Sequence, residues 1–301
     1  MPYSHLNQQL VVANVHSLVT DILGNTISFN EIINKLNGWY YPFMNYLNTE
    51  LFYTQPVLAF FSSTQAIVGD TYPENVIWDH DKTQCFINIL SCYKNDIENE
   101  RQAFIYQESQ NKMQLKNYMH SLTNHYSKLL FVVVDLKYAI ETSHLVTIDD
   151  FYNHMKKIRE LISNKKTCFE HVQGYAWALE QGGENGGLHC HLLLIYNGSE
   201  RQKDCYLGKA VGEKWQSITG GLGTYYNWNT PENKQKYADR GELGIGMIHR
   251  DNPLEVENAE IASSYLAKTD KCEQQLKLWL PDMHSFGQSR FDVSWRRGIK
   301  R

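Results

Sequence analysis

Residues 129–134 read Leu-Leu-Phe-Val-Val-Val. Six consecutive aliphatic and aromatic side chains with no polar member suit a strand covered on both faces, so this run demands a sheet with layers on either side. The sequence around it supplies them. Asp149 and Asp150 open a helix with an apolar stripe of Phe151, Met155, Ile158 and Ile162, acidic residues being favourable at a helix N-terminus. Two strand-like runs follow, Val172 to Leu179 and Leu188 to Tyr196, separated by Gln-Gly-Gly-Glu-Asn-Gly-Gly, and these read as a hairpin. A helix from Asp204 to Ile218 ends at Gly220-Gly221, a short strand covers Gly246 to His249, and a last helix runs from Glu257 to Lys271.

The order is β-α-β-β-α-β plus a helix, the split βαβ arrangement of ferredoxin-like folds, and the fold class is α+β. This arrangement has an antiparallel sheet with two helices on one face and leaves the other face open for a site. The preceding residues have a different texture. Leu10, Val11, Val15, Leu18, Val19 and Ile22 recur at helical spacing, Ser28 and Glu31 form a capping-box pattern, and a long polar helix covers Asp96 to His125. Pro56 to Phe61 is an apolar run that periodicity assigns to neither strand nor helix. The expected organisation is a mainly helical accessory region over 1–125 and a catalytic domain over 126–301.

Charge sharpens that division. Residues 1–125 carry 6 Lys and Arg against 11 Asp and Glu, while residues 201–301 carry 16 against 13. An acidic N-terminal part is unsuited to clamping phosphates, whereas Arg290, Arg296 and Arg297 near the C-terminus are candidate phosphate contacts. A solvated tail explains the same charges. The six cysteines never form a Cys-x-x-Cys pair, which excludes a zinc ribbon and suits reduced thiols. No apolar run reaches the roughly 18 residues of a membrane span, and Met1 to Gln9 lacks the pattern of a signal peptide. The expectation is a cytoplasmic protein without membrane contact.

The chemistry-bearing residues lie on the hairpin. His189 and His191 are two apart on a strand, so both imidazoles share a face with a spacing that can chelate one ion. With the turn centred between Asn185 and Gly186, Glu180 falls opposite His191 and completes a His/His/carboxylate set, while Ala176 and Ala178 leave room beside it. Mixed nitrogen and oxygen donors with open positions suit Mg²⁺ or Mn²⁺ acting on a phosphate oxygen. Ser264-Tyr-Leu-Ala-Lys268 places Tyr265 and Lys268 on one helix face, a nucleophile beside an ammonium. Tyr206 and Lys209 repeat the pattern on the crossover helix, which packs behind the sheet. Trp215, Tyr225, Tyr226 and Trp228 are candidates for stacking on unpaired bases, with core packing the fate of at least half of them.

Glutamate, then His-x-His on a strand, then Tyr-x-x-Lys on a later helix resembles the HUH endonucleases. Within them, Tyr175-Ala-Trp-Ala-Leu-Glu180, Gly187-Leu-His-Cys-His-Leu-Leu-Leu194 and Ala262-Ser-Ser-Tyr-Leu-Ala-Lys-Thr-Asp270 are similar to inovirus-type rolling-circle replication initiators and their prophage relatives. Ser285 to Arg290 is similar to a stretch near the end of that family. The resemblance covers residues 126–295. It implies a nuclease core in which Glu180, His189 and His191 hold a divalent metal, Tyr265 is the nucleophile and Lys268 its electrostatic helper. Cys190 replaces the usual bulky residue between the histidines. Thr269 stands where a paired-tyrosine initiator has a second tyrosine, so one-tyrosine chemistry is implied.

The implied activity is nicking and rejoining of single-stranded DNA at a replication origin through a 5′-phosphotyrosine, in a bacterial host whose replication proteins are possible partners. Two other readings remain open: a non-catalytic DNA-binding phage or prophage protein, and a metal-dependent hydrolase of another substrate.

Overall fold

A computed structural model describes residues 6–182, 187–267 and 272–291. Helices α1 (Gln8–Leu23), α2 (Phe29–Tyr46), α3 (Gln55–Val68) and α4 (His80–Ser91) form the N-terminal layer, with the short strand β1 (Phe52–Tyr53) between α2 and α3. The Ser28 and Glu31 capping box starts α2, with each side chain satisfying the other residue's backbone N–H. The ambiguous run Pro56 to Phe61 is helical and lies inside α3, whose Pro56 sits in the first turn, where no intrahelical N–H bond is lost. Helix α5 (Lys94–His125) then runs 32 residues, about 48 Å at the usual rise. Its first half meets the N-terminal layer, where Glu100 accepts from the Gln55 N–H at 3.0 Å. Its second half lies on the sheet through Leu115, Tyr118, Met119 and Leu122.

The sheet comprises β2 (Lys128–Tyr138), β3 (Val172–Gly182), β4 (Gly187–Asn197), β5 (Gly223–Asn227), β6 (Gly246–His249) and β8 (Phe286–Gln288). Its order is β5-β2-β4-β3-β8, every pairing is antiparallel, and β6 also pairs with β2. The architecture is mixed α+β. Besides the short strands β1 and β8, two elements differ from the expected order: β5 and α8 (Pro231–Ala238) lie between α7 (Asp204–Ile218) and β6. Both are short, and the β5 sequence Gly-Thr-Tyr-Tyr-Asn has no alternation to betray it. Strands β5 and β6 share one edge of β2, pairing with 134–138 and 128–131 respectively. Asn229 bridges the gap, accepting from Val133 N–H at 2.8 Å and donating to the Phe131 carbonyl at 2.8 Å.

Period-2 alternation divides the sheet into two faces. The back face (Leu130, Val132, Val134, Leu136, Trp177, Leu192, Leu194) packs on α6 (Ile148–Ser163) and α7, and this core is continuous with that of α1 to α4. The front face (Phe131, Ala176, Ala178, Leu193, Ile195) is not left open, as the βαββαβ reading expected. α5 and α9 (Pro253–Ser263) cover its far half. Gly174 permits this approach, since a Cβ there would lie 2.4 Å from the Tyr118 hydroxyl. Strand β7 (Leu278–Trp279) pairs with β1.

At the near end of β3 a buried polar chain ties the layers together. Gln181 donates to the Gln9 carbonyl, Gln9 donates to the Val146 carbonyl, and the Lys277 N–H donates to Gln181 Oε1. The Lys277 ammonium is itself buried and donates to the carbonyls of Gln181, Glu273 and Gln275.

Candidate metal centre

Hairpin pairing sets Glu180 opposite His189 and Ala178 opposite His191. This register is shifted from the expected one, and Glu180 does not face His191 directly. The two registers differ by two residues in their pairing, and strand side chains repeat every two, so the face is unchanged. Glu180, His189 and His191 still converge, each with one donor atom, and these three atoms lie within 4.8 Å of one another.

Hydrogen bonding fixes which ring atoms face inward. His189 Nδ1 lies 3.2 Å from the Gly187 carbonyl, which can only accept, so Nδ1 carries the proton and Nε2 faces Glu180 Oε2 at 3.3 Å. His191 Nδ1 lies 2.5 Å from Asp135 Oδ1, and its Nε2 lies 3.1 Å from the same Glu180 oxygen. Asp135 also accepts from the Trp228 indole N–H at 2.8 Å. A carboxylate behind a ligating imidazole fixes its ring and raises its basicity. Burial disfavours the imidazolium of His191, but hydrogen bonds from Asp135 and Glu180 outweigh it and push the group up to about 9. In the absence of an ion, a proton therefore occupies the place a cation would take.

Cys190 points to the back face, fully buried, and burial raises its thiol well above the ordinary range. It is a packing residue. All six cysteines are free.

Two hollows meet at the centre, both bordered by Asp135 and His191. One, of about 450 Å³, includes Lys137, Asn7 and Gln9, so the first turn of α1 helps to wall it. The other, of about 350 Å³, includes Trp228, Tyr237 and Tyr265. The expected helix from Glu257 to Lys271 differs in detail. α9 ends at Ser263, and Tyr265 sits on a 3₁₀ turn, Ser264–Leu266, more than half exposed. Tyr206 is exposed on α7, behind the sheet. Trp215 is fully buried and donates to the Lys137 carbonyl, and Tyr225 packs on Gly212, so neither is free to stack. Arg290 is exposed just beyond the edge strand β8. Lys268, Arg296 and Arg297 lie outside the described residues.

Sequence reasoning missed Asp135. Its signal was faint: the first polar residue after the apolar run, in phase with Phe131 and Val133. Only the pairing of β2 with β4 brings it to His191. Among the described residues, no helix is long and apolar enough to cross a membrane.

A family model described as YagK/YfjJ C-terminal domain matches residues 93–289, from the N-cap of α5 to the end of β8. No curated protein and no solved structure matches the chain.

Proposed function

We propose that this chain, which belongs to the YagK/YfjJ C-terminal domain family, is a metal-dependent single-strand DNA nickase and ligase of the HUH type, acting at a replication origin. The observation that carries the reading is the convergence of Glu180, His189 and His191 beside a hollow bordered by both His191 and Tyr265. The strand order supports a ferredoxin-like core: taking β2, β3, β4 and the β5/β6 edge as first to fourth, the sheet runs fourth-first-third-second, with α6 and α7 behind it.

The donor set fits a divalent ion. Two inward-facing imidazole nitrogens and a buried carboxylate oxygen would supply three donors to such an ion, with hollows beside them through which a substrate could reach it. Mg²⁺ or Mn²⁺ held there would polarise a non-bridging phosphate oxygen. Tyr265 Oη attacks the phosphorus and the 3′-oxygen leaves, so one P–O bond forms as another breaks. The phenolic proton passes to solvent and the departing 3′-oxygen takes one up. The product is a 5′-phosphotyrosine and a free 3′-OH, and reversal of the same step rejoins the strand. Asp135 keeps His191 Nε2 aimed at the centre. Lys268 and the basic residues Arg290, Arg296 and Arg297 are assigned to phosphate contacts. The setting proposed is a bacterial host cytoplasm, with host replication proteins extending the 3′-OH.

The test is incubation with labelled single-stranded DNA and Mn²⁺ followed by denaturing electrophoresis. A covalent adduct is expected, and Tyr265→Phe eliminates it while leaving strand binding nearly unchanged. An adduct mapped to any other tyrosine sinks the assignment. Binding without an adduct favours a DNA-binding protein, and turnover that survives Tyr265→Phe favours a hydrolase of another substrate.

A further inference from the structure

The nicking reaction as described uses the apolar hollow beside the centre only where it borders His191 and Tyr265, and gives its remaining walls no role. Its lining includes Trp228, Tyr237, Ile245 and Ile261 together with Glu242 and Asn258, and it borders Asp135, His191 and Tyr265. We propose that it is a nucleobase pocket, which receives one unpaired base next to the phosphate presented to Tyr265. The proposal rests on the single-strand reading above and adds what that reading lacks, a place for a base.

Four observations support it. Trp228 is held rigidly, its indole N–H bonded to Asp135 and its ring edge-on to Tyr226 with centroids 4.8 Å apart, so what it offers a ligand is its ring. Tyr237 supplies a second aromatic wall, and the exposed Arg240 guanidinium lies 5.0 Å from its ring centre. Arg240 also pairs with Glu242 at 3.4 Å, but an exposed pair of this kind is weak and can yield to a phosphate. The hollow is pre-formed: Asn258 donates to the Gly241 carbonyl at 2.8 Å, and Gly244 lies so close to α9 that a Cβ would come within 2.0 Å of the Asn258 carbonyl. The loop from 239 to 245 is thereby pinned against the helix that precedes Tyr265.

Flat aromatic walls recognise a π-face, and every base has one. The lining is mainly apolar, with the Glu242 carboxylate and the Asn258 amide among it; a base can meet such groups with its own donors and acceptors, whereas a free anion would meet the Glu242 charge.

The experiment measures metal-free binding of two probes at equal salt: oligothymidylate of about 16 nucleotides, the upper end of single-strand site sizes, and an abasic sugar–phosphate chain of the same length. The protein is expected to prefer oligothymidylate by roughly tenfold or more. Tyr237→Ala should bring that preference close to unity while barely changing affinity for the abasic chain. Ile261→Glu, at an exposed rim position that burdens the fold least, should do the same and serves if the tyrosine variant is unstable. Equal binding of both probes by the parent protein overturns the pocket, as does a preference that survives in a folded variant. The nicking reading fails separately, by absence of the Mn²⁺-dependent adduct. A Tyr237-dependent preference without an adduct would keep the pocket and discard the nuclease.

Discussion

Along β4 the side chains alternate between two environments. Leu188, Cys190, Leu192, Leu194 and Tyr196 enter the core shared with the N-terminal helices, whereas Leu193 and Ile195 pack beneath α5 and α9 and His189 and His191 stand clear of that cover. The back face is thus apolar over its whole length. The front face is apolar at one end and polar at the other. One strand serves the core and the candidate centre at once because neighbouring residues point in opposite directions, and the polar end lies at hollows instead of under apolar cover.

The comparison breaks if substitutions on the two faces have the same consequences. The largest effect is expected from His191→Ala, which should reduce metal-dependent adduct formation by at least about a hundredfold in a chain that still folds, though it loses the stabilising contacts with Asp135 and Glu180. Leu194→Ala, from the opposite face, should cost about 2–5 kcal/mol of stability by leaving a cavity, with activity per folded molecule retained. Thermal melts alongside adduct assays on both variants decide it, and a His191→Ala chain that fails to fold would mean that the histidine is a core residue.

A smaller effect isolates the support behind the centre. Asp135→Asn keeps the shape, removes the charge behind His191 and leaves one acceptor oxygen where His191 and the Trp228 indole now have one each. Calorimetric titration with Mn²⁺ should show about 10- to 100-fold weaker binding. Unchanged affinity would reduce Asp135 to a partner of Trp228 alone.

The smallest effect concerns the N-terminal layer. His16 is buried against Thr54, and burial, helped by the charge of Lys277, lowers its pKa from 6.5 to about 3. The unfolded chain takes up a proton near 6.5 and the folded protein does not, so this contribution is complete above 6.5 and is lost as pH falls towards 3. The slope is at most ~1.4 kcal/mol per pH unit. Denaturant unfolding between pH 7 and 4, the lower bound kept above the folded pKa, should show a shallower pH dependence for His16→Gln. Equal slopes would assign acid sensitivity to other groups.

The hairpin and the shared face of its histidines were legible because both follow from a period of two and a glycine-rich turn. Pairing partners were less so. Nothing local tells a register that sets Glu180 opposite His191 from one that sets it opposite His189, and the error was harmless only because it preserved parity. Asp135 was hidden for a stronger reason: its role arises from strands separated by a helix and a hairpin. The cover over the front face was hidden too, since α5 presents mostly polar side chains and its apolar residues Leu115, Tyr118, Met119 and Leu122 cluster near one end. The short β5 lacks the length for periodicity to speak.

The spacing of the ligands has a consequence in time. Glu180 lies nine residues from His189 and eleven from His191, so the centre is closed by one hairpin, and hairpins form on the microsecond scale. Asp135 joins from a strand already synthesised. Tyr265 belongs to a segment that leaves the ribosome only after β5, α8, β6 and α9. A nascent chain therefore completes its candidate metal centre long before it possesses Tyr265, and under the proposed chemistry it cannot cut a strand until the chain has been translated through α9.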